Sequence, residues 1–209
     1  MITKLLERED VSEELELRST FGFMAYHGGS LEKATDVIAR EAAERSNSSY
    51  YGLIQSHEDP IHFASTQLLE EKSKSLKLFL DHIQIVVTIH GYGREHLFYS
   101  VLLGGRNRQL ANHFAPILRT ALQDYEFETV LEKIPKELRG QHTKNPVNYP
   151  PLGGLQLELP PTLRWNREEW GWSDSGGIGR AKHVDQLIDA LVLGVEQWEM
   201  KKSNSLEKK

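Results

Sequence analysis

Tyr26-His27-Gly28-Gly29-Ser30-Leu31-Glu32 joins the end of an apolar run to the start of a helical pattern. A histidine on the rim and a glutamate in the first helical turn converge if the loop folds back, and the two glycines permit that fold. A divalent cation needs such convergence, since zinc takes His nitrogen and Glu oxygen ligands at about 2.0–2.2 Å. The same residues also fit an ordinary helix start, with Glu32 near the positive end of the dipole and His27 ending a strand. His90 ends the β-branched run Ile83–Ile89 and is followed by Gly91-Tyr92-Gly93. It would complete a His/Glu/His set, and three protein ligands plus an open water position is the pattern of catalytic zinc. A core histidine with one hydrogen-bonded nitrogen is the alternative. Glu158 lies in Leu155-Gln156-Leu157-Glu158-Leu159, bounded by Pro160-Pro161. A carboxylate there is costly to bury unless it is paired or working. Its work would be that of a general base towards a metal-bound water; an edge-strand glutamate facing solvent fits the local sequence equally well.

Two other segments only imitate chemistry. Asp174-Ser175-Gly176-Gly177 resembles the nucleophile segment of chymotrypsin-like proteases, which are all-β proteins, whereas the elements here alternate; a Gly-rich loop is the better reading. His57-Glu58-Asp59-Pro60-Ile61-His62 is one residue too long for H-E-x-x-H, and Pro60 prevents the helix that would align both imidazoles.

The elements that must position these residues follow from periodicity. Thr20–Ala25, Tyr50–Ile54, Ile61–Ser65, Ile83–Ile89, Leu97–Leu103, Tyr125–Leu131 and Leu155–Leu159 read as strands. Leu31–Arg45 with Ser30 as N-cap, Leu68–Leu80, Arg108–Leu122 and Lys182–Trp198 read as helices. Ile83–Ile89 is apolar on both faces, as a central strand of a covered sheet is. The alternation predicts a single-domain α/β protein, a mixed and largely parallel sheet with helices on both faces, whose ligand site lies at the carboxyl ends of strands. Residues 1–18 read as an N-terminal extension, 19–200 as the domain and 201–209 as a flexible polar tail.

Composition narrows the chemistry. The chain has 209 residues, no cysteine and nine histidines. That excludes disulfides, iron–sulfur clusters and a Cys nucleophile, and leaves His, Asp and Glu to hold any metal. A formal net charge of −5 argues against nucleic acid or an anionic membrane as partner. No apolar run approaches the roughly 20 residues of a membrane helix, and the acidic N-terminus does not read as a signal peptide, so the expectation is a cytoplasmic monomer.

Five separated blocks carry a family resemblance: Tyr26–Glu32, His62-Phe63-Ala64-Ser65-Thr66, Thr88-Ile89-His90-Gly91-Tyr92, Gly104-Gly105-Arg106-Asn107, and Gly154–Leu159 with Leu163-Arg164. In this order, from about Thr20 to about Arg164, the chain resembles the poly-γ-glutamate hydrolase family of bacteriophages and bacilli. The resemblance implies a zinc-carboxypeptidase-like α/β fold, a Zn2+ cofactor and cleavage of γ-glutamyl amide bonds in poly-γ-glutamate or a γ-glutamyl peptide. By it, His27, Glu32 and His90 match the zinc ligands and Glu158 the catalytic glutamate. The ligand pair is spaced differently from the H-x-x-E of the carboxypeptidases, a departure that the hydrolase family shares.

A polyanionic substrate requires a locally basic cleft. Residues 91–119 carry Arg94, Arg106, Arg108 and Arg119 against Glu95 alone, and Arg164 follows the Glu158 strand. Arginine forks suit carboxylates, which makes Arg106 and Arg164 the preferred substrate or oxyanion contacts, with Arg94, Arg108 and His62 as further cleft candidates. His57, His82, His96, His113, His142 and His183 need no role beyond solvent or packing. Two other functions fit the residues: a zinc-dependent deacylase or amidase on a small N-acyl compound, and a non-catalytic binder of an anionic polymer. A cytoplasmic enzyme would reach an extracellular polymer through release by lysis.

Overall fold

The computed structural model describes residues 2–68, 70–174 and 176–206. Its elements are α1 (Ile2–Leu6), β1 (Val11–Glu16), β2 (Phe21–Gly29), α2 (Thr35–Arg45), β3 (Ser49–Gln55), α3 (Lys74–His82), β4 (Ile85–Gly91), β5 (Ser100–Gly104), α4 (Arg108–Ala121), β6 (Glu126–Glu128), β7 (Gly154–Leu159), α5 (Pro161–Arg164), β8 (Trp165–Asn166), β9 (Gly171–Trp172) and α6 (Lys182–Leu206). Strands β1 to β7 form one sheet in the order β1-β3-β2-β4-β7-β5-β6, and β8 and β9 form a small hairpin. Pairings β2–β3, β2–β4, β4–β7 and β5–β6 are parallel, while β1–β3 and β5–β7 are antiparallel. The architecture is the expected α/β one.

The period-2 alternation of strands divides the core between the two faces of the sheet. Phe23, Ala25, Val87, Ile89, Leu155 and Leu157 pack under α2, α4 and α6. Met24, Tyr26 and Val86 pack on the opposite face with Leu76 and Phe79 of α3. The chain leaves β2 through α2 to one side and returns through α3 to β4 on the other, so the strand order reverses between β2 and β4. Such a reversal opens a crevice at the carboxyl ends of parallel strands. The β2–β4 ladder stops at Met24↔Thr88, and beyond it the two strands pair with their outer neighbours instead.

Several expected elements are corrected. Residues 1–18 are no extension outside the domain: α1 buries Leu5 in the core, and β1 is an edge strand in register with β3. Its glutamates are the charged side chains that keep sheet edges from pairing with other chains. Ile61–Ser65 is not a strand, because the Gln55 amide takes both backbone groups of Ile61, at 2.9 and 2.7 Å, leaving nothing for a ladder. The helix expected from Leu68 starts at Lys74, where Ser73 Oγ accepts from Leu76 N–H at 3.0 Å. At the other end α6 continues through Leu206, and the remaining tail residues, 207–209, lie outside the described residues. Among the described residues no helix is long and apolar enough to cross a membrane.

A β-bulge in β2 positions the first candidate ligand. Ala25 pairs with Gly52 but Gly28 with Ile54, so β2 carries one extra residue there. The bulge turns His27 to the same face as Tyr26, where its ring meets Tyr26, Phe63 and His90. Gly29 closes the bulge at φ 70°, and a Cβ there would collide with the Gln55 carbonyl. Gly29→Ala is therefore expected to cost about 2 kcal/mol or more of stability, from the left-handed backbone and the collision together. Urea unfolding checks this.

Candidate metal centre

The loop between β2 and α2 supplies the second candidate ligand. The helix starts at Thr35 and not after Ser30, whose N–H instead bonds Gln55 O at 2.7 Å. Residues 30–34 fold back on the strand: Glu32 N–H donates to His27 O at 2.8 Å, and Thr35 Oγ1 donates to Glu32 O at 2.7 Å. The fold forces Ala34 to φ 71°, a left-handed conformation that a non-glycine residue adopts at a cost.

This reversal drives the Glu32 carboxylate into the gap between the diverging strands. Its Oε1 lies 2.8 Å from His27 Nδ1, and its Oε2 lies 3.2 Å from His90 Nδ1 and accepts the Gly91 N–H at 2.8 Å. The ligating atoms offered by His27, Glu32 and His90 all lie within 4.8 Å of one another. Both histidines are buried, and each keeps a buried Nε2 with no hydrogen-bond partner among the described residues. The nitrogens that face Glu32 are the two Nδ1 atoms, so two imidazole nitrogens and a carboxylate converge on one point, as a cation site requires. The donor set, two nitrogens and one carboxylate, suits zinc.

Glu158 faces the same crevice from β7, directly opposite His90 in the β4–β7 register. It is 3% exposed, and its Oε1 accepts from Gln156 Nε2 at 2.8 Å. Burial pushes its carboxyl up to about 7; the negative charge of Glu32 adds to this, while His90, the Gln156 amide and Arg164 oppose it. For Glu32, burial also acts upwards, but the charges and hydrogen bonds of His27 and His90 overturn it and hold the carboxyl well below its usual range. Environment thus pushes two neighbouring carboxylates apart, Glu32 towards the ionised form and Glu158 towards the neutral one.

These residues open into a cavity of about 890 Å³. His62 lines it, its ring 5.7 Å from that of His27, and so does Arg94, which is ion-paired with Glu137. The other arginines are elsewhere. Arg106 follows β5, which runs antiparallel to β7, so Gly104-Gly105-Arg106 emerges at the Gly154 end of that strand and not at the Glu158 end. Arg108 is spent on backbone, donating to the carbonyls of Gly104, Gly105 and Thr129. Arg164 does not line the cavity. It is buried beside Gly91, donates to Lys33 O at 2.8 Å, and stacks with its Cζ 5.0 Å from the Trp172 ring. It braces the ligand loop and supplies positive charge to Glu32 and Glu158 from behind.

The sequence reading missed the opposite wall: Lys136, Arg139, Gln141, His142, Asn145 and Gln156 line the cavity. His142 thus has a place that solvent or packing alone did not suggest. Only Gln156 carried a signal, since in a strand it shares a face with Glu158 two residues on. Ser175 of the protease-like segment lies outside the described residues, and its neighbour Asp174 is ion-paired with Arg180.

The model of the poly-gamma-glutamate hydrolase family matches residues 4–169. The chain belongs to the poly-gamma-glutamate hydrolase family. Among relatives, the UPF0714 protein YndL of Bacillus subtilis (strain 168) is 29% identical over 143 residues, covering 68% of this chain and 53% of YndL. The chain thus matches about half the length of that curated relative. A bacteriophage poly-gamma-glutamate hydrolase structure superimposes with TM-score 0.77 at 18% identity, covering 91% of this chain and 90% of the other. The zinc-free form of YndL gives 0.76 at 20% identity, covering 92% and 93%. A metallo-carboxypeptidase from Burkholderia cenocepacia gives 0.50 at 11% identity, covering 95% and 67%. At these identities the likeness concerns the fold, and the fold of this family member is carboxypeptidase-like.

Because Glu158 titrates higher in the folded protein, its contribution to stability is fully present below an ordinary 4.5 and is lost as pH rises through about 7. Metal-free Glu158→Gln, which cannot ionise, is expected to gain on metal-free wild type between about pH 5 and pH 8 in urea unfolding. A gap that does not widen would mean that burial does not hold this carboxyl neutral. Arg164→Met strips the Lys33 carbonyl of its donor and removes a buried charge felt by both carboxylates, and is expected to cost about 1–3 kcal/mol. Arg94→Met, at an exposed ion pair, is expected to change stability by less than about 1 kcal/mol in the same assay.

Proposed function

We propose that this protein is a zinc-dependent hydrolase of γ-glutamyl amide bonds, acting on poly-γ-glutamate or γ-glutamyl peptides. The observation that carries the reading is the convergence of His27, Glu32 and His90 within 4.8 Å, with Glu158 across the ladder from His90 in the same cavity. The family membership and the carboxypeptidase-like fold support it. A zinc ion held by those three side chains would supply Lewis acidity, lowering the pKa of water and polarising the scissile carbonyl.

The chain's own residues do the rest. Glu158 takes a proton from water as the water oxygen bonds to the carbonyl carbon, and delivers that proton to the amide nitrogen as the C–N bond breaks. The second water proton follows to the leaving nitrogen, so the products are a carboxylate and an ammonium group, and Glu158 ends ionised, as it began. Lys136 stands at the cavity wall beside the Arg94–Glu137 ion pair, the Arg139 guanidinium there is taken up by the Ile134 and Glu132 carbonyls, and His62 lies beside the candidate ligand His27. A substrate with a free α-carboxylate on every unit is served by a cation such as Lys136 at that wall; a neutral N-acyl compound has no use for it.

The purified protein is expected to hold stoichiometric zinc and to cleave poly-γ-glutamate, with α-linked poly-glutamate cut far more slowly. Chelation abolishes turnover and zinc restores it. Glu158→Gln keeps the zinc and lowers kcat by about 10²–10⁴-fold. Zinc without γ-glutamyl cleavage would move the assignment to an N-acyl deacylase. Polymer binding without metal or cleavage would make the protein a binder.

A further inference from the structure

Glu158 does not stand alone on its strand. Gln156, 3% exposed, shares its face, and the Gln156 Nε2 amide donates both to Glu158 Oε1 at 2.8 Å and to Leu138 O at 3.2 Å. The Leu138 carbonyl can only accept, so the Gln156 amide has one permitted orientation. Its Oε1 then accepts from Asn145 Nδ2 at 2.9 Å. Asn145 is fixed in the same way: its Oδ1 accepts the Val147 N–H, which can only donate, at 3.2 Å, and the Tyr26 hydroxyl at 3.1 Å. The result is a directed chain from Tyr26 through Asn145 and Gln156 to Glu158, in which flipping either amide breaks at least two bonds.

Both ends of this chain touch the centre. The Tyr26 ring packs edge-on against His27 at 5.0 Å and His90 at 4.6 Å. At the other end only one carboxylate oxygen of Glu158 is taken; among the described residues no protein group bonds its Oε2. A glutamate on a strand has rotamers to choose from, and a base must present one oxygen within hydrogen-bond reach of the water it serves.

We propose that Gln156 is a positioning residue for the base: it pins Glu158 Oε1 and thereby turns Oε2 to the cavity, with Asn145 and Tyr26 fixing the amide that does so. This rests on the reading of Glu158 as general base. Gln156 itself transfers no proton and holds no metal. It would act on kcat through Glu158 alone, although it also lines the cavity.

The experiment is a double-mutant cycle with Gln156→Leu and Glu158→Gln on the zinc-loaded protein with poly-γ-glutamate, together with zinc titration of the metal-free variants and a crystal structure of Gln156→Leu. Gln156→Leu is expected to lower kcat by roughly 10- to 100-fold, with KM and zinc affinity within about twofold. In the Glu158→Gln background it should change the residual rate by less than about twofold, because two residues acting as one unit are not additive. The crystal structure is expected to show Glu158 in more than one rotamer with His27, Glu32 and His90 unmoved. If Gln156→Leu fails to fold, Tyr26→Phe, which keeps the ring and removes the first hydroxyl of the chain, is expected to lower kcat while leaving KM and zinc affinity unchanged. An unchanged kcat in either variant, a full additive loss in the double variant, or loss of zinc in step with activity would overturn the inference. An active Glu158→Gln single variant would instead overturn the base assignment beneath it.

Discussion

One carboxylate joins what the sheet itself leaves apart. Past Met24 and Thr88 the strands β2 and β4 stop pairing, and the Gly91 N–H has no ladder carbonyl to find. Glu32 Oε2 accepts a hydrogen bond from that N–H at 2.8 Å while the same carboxylate meets an imidazole from each strand. It therefore does the work of missing sheet hydrogen bonds and of a candidate ligand at once. Everything that makes the centre depends on bringing it there: the extra residue in β2, the left-handed Gly29 and Ala34, and the loop that turns back before α2 can begin. The local strain at Ala34 persists because the loop is held at both ends, by Glu32 N–H on His27 O and by Arg164 on Lys33 O.

The same arrangement sets an electrostatic problem. Glu32 and Glu158 are two acids in one low-dielectric crevice, and like charges there cannot both ionise freely. The protein divides them by environment. Glu32 has the imidazoles and a backbone N–H, and stays ionised; Glu158 has burial and a like charge, and is pushed up. Arg164 compensates in part from behind Gly91, but a guanidinium fixed to backbone carbonyls and stacked on Trp172 cannot also reach into the cavity. The remaining negative charge lies on the cavity side, where a divalent cation would meet it.

What was legible in the sequence follows from what each residue's neighbours encode. His90 and Glu158 could be placed because each lies at or near the end of an apolar strand, and those two strands are parallel, so both reach the same edge of the sheet. His27 and Glu32 could be paired because two glycines signal a reversal. Arg106 could not be placed, because nothing in Ser100–Gly104 says that β5 runs antiparallel to β7, and strand direction decides which edge of the sheet a following residue reaches. Ile61–Ser65 looks like a strand by composition, yet a single side chain, Gln55, consumes its backbone groups. The wall formed by residues 136–145 is brought to the site by tertiary packing, without a local periodic signal. The edge strand β1 was hidden by its charges, which suit an edge and disguise the hydrophobic pattern of a strand.

The choice between an enzyme and a binding protein turns on Glu158. A binder of an anionic polymer gains nothing from a buried acid held beside another acid, since each such group weakens attraction for the ligand and costs stability where it ionises. The fold nevertheless retains it, gives one of its oxygens to a glutamine, and supports that glutamine with Asn145 and Tyr26. A network this directional, ending on a carboxylate with one oxygen free, has no packing purpose that an apolar strand face would not serve better. On the proposed function, such a network would hold a proton acceptor at one place beside a candidate metal centre, which hydrolysis requires and adhesion does not.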